Sequence, residues 1–169
     1  KETTLAKLIM IGSKTKKSNE LVNYENILNN KEIDAVYIST LNNTHEYLIK
    51  QSLEKGKKIL CEKPLCTNLD ELDQIKNFLD SKKNNLYEGI AYYSHPQTVE
   101  ILNLINNNEI GDIISIESTF GFKARVKPKS RLFDPNLGGG SLLDLGCYPI
   151  SFLMLFCNSF EQFKLINKK

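Results

Sequence analysis

Long apolar runs are missing from this sequence. The longest, Leu142 to Cys157, is broken by Asp144 and Pro149 and falls short of the roughly 20 residues that a membrane-spanning helix needs. A buried helix is expected there, and no membrane partner. Charge of one sign is also missing: 22 basic residues stand against 20 acidic ones, a net charge of +2. That balance gives no drive towards nucleic acid or an anionic surface and points to a small-molecule partner. Cysteine is scarce, and Cys61, Cys66, Cys147 and Cys157 lie in apolar surroundings without two close Cys/His pairs, which argues against a disulfide framework and against a metal site. Reduced thiols in a cytoplasm are the expectation. The start, Lys1-Glu2-Thr3-Thr4, lacks a methionine, an apolar signal core and transit-peptide character, so no targeting is indicated and the chain is expected to begin within a fold. With 41% hydrophobic and 25% charged residues, what remains is a globular chain able to bury a core in one or two domains.

What is present is alternation. Apolar β-rich runs at Leu8–Ile11, Ala35–Ser39, Lys58–Cys61 and Leu86–Ala91 alternate with helical patterns at Tyr47–Lys55 and Leu69–Ser81, the signature of repeated βαβ units and a parallel sheet. Asn43-Thr44 with Glu46, and Thr67-Asn68 with Asp70 and Glu71, supply caps and acidic first turns for the two helices. After Tyr93 the pattern changes to a helix opened by Pro96, a strand over Ile113–Phe122, a glycine-rich turn and a second apolar helix. The expected fold is therefore α/β: a parallel Rossmann-type dinucleotide-binding sheet over residues 1–93, followed over residues 94–169 by the start of an α+β substrate domain. A dinucleotide-binding sheet normally opens with a strand and G-x-G-x-x-G, whose backbone N–H groups hold the pyrophosphate. No such motif occurs here. Gly12-Ser13-Lys14-Thr15 suits the end of the second strand of such a sheet, which places the first strand and the phosphate loop before Lys1. Phe163-Lys164-Leu165-Ile166 reads as a further strand beginning.

Two segments carry the candidate chemistry. In Cys61-Glu62-Lys63-Pro64 the proline biases Lys63 towards extended backbone and sets Glu62 and Lys63 at the C-terminal strand edge, where open α/β sheets bind ligands. An exposed charge at a strand end is the alternative reading of Lys63. In Gly138-Gly139-Gly140-Ser141-Leu142-Leu143-Asp144-Leu145-Gly146-Cys147-Tyr148-Pro149, Ser141 and Asp144 have capping-box spacing, and Asp144 and Tyr148 are four apart and share a helix face. Asp144 could equally be a capping carboxylate, Tyr148 a core residue, and the glycines a plain turn.

Together these residues resemble the Gfo/Idh/MocA oxidoreductases, and within them the branch of glucose–fructose oxidoreductase, dihydrodiol dehydrogenase and NADP-dependent xylose dehydrogenase. The resemblance rests on Asn42-Asn43-Thr44-His45, on Cys61-Glu62-Lys63-Pro64-Leu65, on Glu88-Gly89 followed by Ser94-His95-Pro96-Gln97, and on the segment Gly138 to Pro149. It implies a catalytic lysine at Lys63, a tyrosine at Tyr148 where other branches carry histidine, and a supporting carboxylate at Asp144. The implied activity is hydride transfer between a nicotinamide cofactor and a secondary alcohol or carbonyl of a sugar, cyclitol or dihydrodiol. A non-catalytic nucleotide- or sugar-binding regulator of the same fold, or an inactive fragment, is the alternative. The residue types suit the chemistry, because the substrate hydroxyl must lose a proton as its carbon loses hydride. A phenol is a weak base near neutrality, but a neighbouring ammonium and a helix N-terminus favour its ionised form.

The resemblance also implies that Thr40, Leu41, Asn42, His45, Glu62, Lys63 and Pro64 border the cofactor, although His45 could be structural. It implies a homo-oligomer for the full-length enzyme. Ser13-Lys14-Thr15-Lys16-Lys17 lacks the acidic residue that binds an NAD ribose, so Ser13 and Lys14 suit the extra phosphate of NADP. NAD remains possible, and a solvated lysine cluster is the other reading. Many members of the family it resembles carry arginine where this chain has Tyr93. Arg125 and Arg131 are candidates for substrate contact or for plain surface.

Overall fold

The structure, a computed structural model, describes residues 8–12, 24–81, 86–125 and 130–156. Four strands form one parallel sheet: β1 (Leu8–Gly12), β2 (Ala35–Ser39), β3 (Lys58–Glu62) and β4 (Leu86–Gly89), lying side by side in chain order. Between them run α1 (Tyr24–Asn29), α2 (His45–Glu54) and α3 (Leu69–Ser81). β2 and α3 occupy the residues that the apolar spacing marks. α1 carries no comparable signal, being six residues long with Ile27 and Leu28 as its buried pair.

Side chains alternate between the faces of a strand, and burial follows. Val36 and Ile38 of β2, with Ile59 and Cys61 of β3, are at most 1% exposed. They cluster with Ile27 and Leu28 of α1, Leu48, Ile49 and Leu53 of α2, and Ile75 of α3. Tyr37, Leu60 and Tyr87 stand in register across the opposite face, where Leu60 is 39% and Tyr87 67% exposed. Among the described residues the helices thus cover one face only. Nor is there a reversal of strand order among them, the feature that opens a binding crevice in a doubly wound sheet.

The two expected helix caps differ. At α3, Asn68 Oδ1 accepts the Glu71 N–H at 2.9 Å, while the Glu71 carboxylate accepts the Thr67 N–H at 2.7 Å and the Asn68 amide at 2.9 Å, a reciprocal cap. At α2 the Thr44 side chain makes no cap bond. A 3-10 turn, Asn42–Thr44, precedes that helix, and the Thr44 hydroxyl donates to the Leu41 carbonyl at 2.7 Å instead.

Beyond β4, a 3-10 turn (Ala91–Ser94) leads to α4 (Pro96–Asn106), where the His95 ring accepts the Gln97 N–H at 3.1 Å. The strand expected over Ile113–Phe122 is absent, and residues 113–125 run without regular structure. A strand exists only through its ladder, and no described segment pairs with this one, which leaves Ile114 97% exposed. A 3-10 turn (Pro135–Leu137), the glycine triplet, a π-helical turn (Leu142–Gly146) and α5 (Cys147–Met154) are the last of the described elements. The strand expected at Phe163–Ile166 lies outside the described residues. No helix among those described is long and apolar enough to cross a membrane.

The one-sided burial sets a test. Ile59→Ala, which empties a site in the covered face, should cost about 2–5 kcal/mol of unfolding free energy. Leu60→Ala, one residue along on the open face, should cost under about 1 kcal/mol. Urea midpoints of the two variants measure the difference.

Candidate active site

The C-terminal ends of β2 and β3 place two loops side by side. The loop after β3 is fixed at three points. The Tyr37 hydroxyl donates to Glu62 Oε1 in a short bond, His45 Nδ1 meets the Pro64 carbonyl at 2.8 Å, and the Leu65 N–H donates to Glu88 Oε1 at 2.9 Å. A carbonyl can only accept, so His45 carries its proton on Nδ1. The ring is fully buried, and its Nε2 has no partner among the described residues. Gly89 allows the close approach of β4 to this loop, since a Cβ there would stand 3.2 Å from the Cys61 carbonyl oxygen.

Lys63, carried on this loop by a cis peptide to Pro64, reaches across to the second half of the chain. Its ammonium donates to Asp144 Oδ1 at 3.1 Å and, in a short bond, to the Asp144 carbonyl. Both side chains are 15% exposed, so the exposed-charge reading of Lys63 does not hold. The capping reading of Asp144 fails as well: Ser141 makes no side-chain cap bond, and the carboxylate turns to Lys63. The turn from Leu142 to Gly146 is π-helical, a form that recurs at functional sites.

The same ammonium lies 5.3 Å from the centroid of the Tyr148 ring, within cation–π range. Tyr148 is half-buried, packed on Phe120 at 4.8 Å and near Tyr92 at 6.4 Å between centroids. Its hydroxyl has no hydrogen-bond partner among the described residues, unlike that of a core tyrosine. Behind it, Ser151 Oγ donates to the Tyr148 carbonyl at 3.0 Å, which leaves the Tyr92 hydroxyl to donate to Ser151 Oγ at 2.8 Å. Burial pushes the Tyr92 phenol up. Sequence reasoning passed over Tyr37, Tyr92 and Ser151, and gave Glu88 no role at the site. The only signal for Ser151 was its place one turn beyond Tyr148.

The residues expected at the cofactor edge are largely occupied by the protein. Thr40 pairs its hydroxyl with Thr44 at 2.7 Å, Asn42 donates to the Gly138 carbonyl at 2.9 Å, and Glu62 takes Tyr37. A dinucleotide meeting this edge would find backbone, the Leu41 side chain and the Lys63 ammonium, the His45 ring being shut inside the fold. Backbone groups and the Leu41 side chain suit the carboxamide and the apolar face of a nicotinamide ring. Ser13 and Lys14, assigned to the ribose end, lie outside the described residues. Arg125 and Arg131 are exposed, and Tyr93 reaches the Ser151 carbonyl at 3.4 Å.

Cysteine chemistry is not what this site offers. Burial pushes the Cys61 thiol far up, with Glu88 and Glu62 adding to it. Burial also raises Cys66 and Cys147, the latter against the opposing pull of Lys63. The thiolate is the nucleophilic form. Among the described residues no group of His, Cys, Asp and Glu could hold a metal ion.

Residues 7–90 match a family model described as an oxidoreductase family with an NAD-binding Rossmann fold, and residues 98–163 match a GFO/IDH/MocA C-terminal domain. An NADP-dependent D-xylose 1-dehydrogenase from Haloferax volcanii is 34% identical over 79% of this chain and 41% of its own length. A trans-1,2-dihydrobenzene-1,2-diol dehydrogenase from Xenopus tropicalis is 33% identical over 80% and 40%. A solved 3-ketoreductase from Actinomadura kijaniata, in complex with NADP and TDP-benzene, superposes with a TM-score of 0.63 at 29% identity, covering 79% of this chain and 41% of its own. The chain spans about two fifths of the length of the curated relatives it matches.

The Tyr37–Glu62 bond, then burial, pushes the Tyr37 phenol up to about 12 from 10.0. A raised folded-state value means that its stabilisation is intact below pH 10.0 and lost as pH climbs towards 12. Tyr37→Phe should therefore flatten the alkaline limb of the stability curve in that window, as read from denaturation midpoints. An unchanged limb would rule the bond out as its source.

Proposed function

The chain belongs to the GFO/IDH/MocA family of oxidoreductases, and from that premise we propose that it carries the proton-handling site of an NAD(P)-dependent dehydrogenase. The reaction is hydride transfer between nicotinamide and a secondary alcohol or carbonyl of a sugar, cyclitol or dihydrodiol. One observation carries the reading: the Lys63 ammonium is fixed by Asp144 while lying beside Tyr148, whose hydroxyl has no partner among the described residues. NADP is the favoured cofactor, supported by the basic and hydroxyl residues from Ser13 to Lys17 and by the names of the xylose dehydrogenase and the ketoreductase complex. The change in pattern after Tyr93 supports a division between cofactor-binding and substrate-binding parts near that residue.

When bound, the nicotinamide takes up or supplies the hydride. Everything else falls to the chain. In the oxidation direction the substrate hydroxyl gives its proton to the Tyr148 phenolate as the carbon–oxygen double bond forms; in reduction Tyr148 O–H returns a proton to the developing alkoxide and is left as phenolate. Lys63, unable to swing away from Asp144, presents fixed positive charge towards the oxygen where negative charge develops, so little reorganisation is needed during reaction. Asp144 sets the position of the ammonium through its carboxylate and its carbonyl together. Phe120 and Tyr92 hold the Tyr148 ring, which leaves the hydroxyl as its reactive end.

Tyr148→Phe and Lys63→Met in the full-length protein should each lower turnover about 100- to 10,000-fold, the range for loss of a positioned acid–base group. Cofactor binding, followed by nicotinamide fluorescence, should survive in Tyr148→Phe. Unchanged turnover in both variants would sink the mechanism. Cofactor binding without reduction across a panel of sugars and diols would favour a regulatory member of the same fold.

A further inference from the structure

The glycine triplet is seated in a notch formed by the sheet half of the chain. Gly138 is buried, with a left-handed φ of 70°, and a Cβ on it would stand 2.8 Å from both Asn42 Cβ and Thr67 Cγ2. Gly139 is shut in from the other side, its would-be Cβ 2.5 Å from the Arg131 carbonyl oxygen and 2.7 Å from that of Asp134. Two amides of the loop after β2 grip the segment: Asn42 Nδ2 donates to the Gly138 carbonyl at 2.9 Å and Asn43 Nδ2 to the Asn136 carbonyl at 3.0 Å. Asn42 is buried at 7% exposure, so its bond is shielded from competing water. Two residues on, the Gly140 carbonyl accepts the Asp144 N–H at 3.0 Å, which starts the turn that delivers Asp144 to Lys63.

We propose that Asn42 is a positioning residue for the Lys63–Asp144 pair, acting through the Gly138–Gly140 loop. The side chain is spent on the protein, in contrast to the cofactor contact that the sequence suggested. The catalytic part of the inference rests on the reading of Lys63, Asp144 and Tyr148 given above. The docking part does not. The loop that follows β2 thereby acts on both sides, with Thr40 and Leu41 at the cofactor edge and Asn42 holding the carboxylate that fixes the lysine. Thr67 completes the seat, and its hydroxyl is independently tied to Glu71.

Amide hydrogen exchange on the full-length protein, with steady-state kinetics alongside, tests this. Asn42→Ala should speed exchange of the Asp144 amide about tenfold, the size of one lost shielded hydrogen bond, with the Val36 and Ile38 amides changed less than about twofold. Asn42→Asp is the sharper variant, since a carboxylate cannot donate to the Gly138 carbonyl whereas a protonated carboxyl can. Its Asp144 exchange and its kcat should recover towards wild type as pH falls, relative to Asn42→Ala at the same pH. Combined with Asp144→Asn, Asn42→Ala should add no further loss of kcat, because both remove the same support. If Asn42→Ala does not fold, Asn42→Ser, which keeps a donor, takes its place with the same expectations at smaller size. Unchanged Asp144 exchange would overturn the proposal, as would additive losses of kcat, or a rise in cofactor KM alone. If no variant and no wild-type protein turns over, the exchange data still decide the docking and the failure lies with the enzymatic reading.

Discussion

An ammonium that is mostly withdrawn from water must be matched by oxygen acceptors, because an unpaired buried charge costs more than the fold can offset. Lys63 is in that position, and both acceptors it finds come from Asp144, 81 residues further along the chain. The contact is one of several between two parts, beside the Asn42–Gly138, Asn43–Asn136 and Tyr92–Ser151 hydrogen bonds. On one side is a parallel sheet with its helices; on the other is a stretch of turns and one short apolar helix. The place of α5, and with it of Tyr148, follows from where this charge is neutralised. The pair's orientation matters more than its net energy, since partly buried ion pairs add little stability beyond a well-packed apolar substitute.

Backbone shape supports the charge. A π-helical turn places Asp144 so that its carbonyl and its carboxylate reach the same nitrogen. The turn can begin only after the chain has passed through a seat too tight for any side chain, at Gly138 and Gly139. The glycines that looked like a plain turn are therefore sterically committed. Across the gap, the β3 loop is held just as firmly by Tyr37, His45 and Glu88. Neither lysine nor carboxylate is free to adjust to the other. That rigidity suits the proposed role, in which the site stabilises charge that appears only briefly.

Much of the sheet was legible from the residues. Val36, Ile38, Ile59 and Cys61 alternate with less buried neighbours, and the Thr67-Asn68-Glu71 cap marks the start of α3 because its hydrogen bonds are local. The cap read at Thr44 failed because a 3-10 turn precedes α2, a choice made over a few residues that propensity does not resolve. The strand read over Ile113–Phe122 failed for another reason: its apolar, β-branched composition is real, but a strand needs a neighbour. At the site, Lys63, Asp144 and Tyr148 were identifiable as residue types in family order. The partners of Thr40, Asn42 and Glu62 were not, since each was assigned to a cofactor and each is taken by a protein group.

The sequence by itself determined the periodicities, the capped helix α3, and the inventory of a lysine, a carboxylate and a tyrosine whose types suit proton transfer. These are local properties, carried within a turn or two of chain. Only the tertiary structure decided that Lys63 is neutralised by Asp144 instead of by solvent, that the Tyr148 hydroxyl has no partner among the described residues, and that Asn42 holds a loop 96 residues away. Those outcomes depend on which buried polar groups meet when distant segments pack, and hydrogen-bond satisfaction in a closed interior is a property of the whole fold.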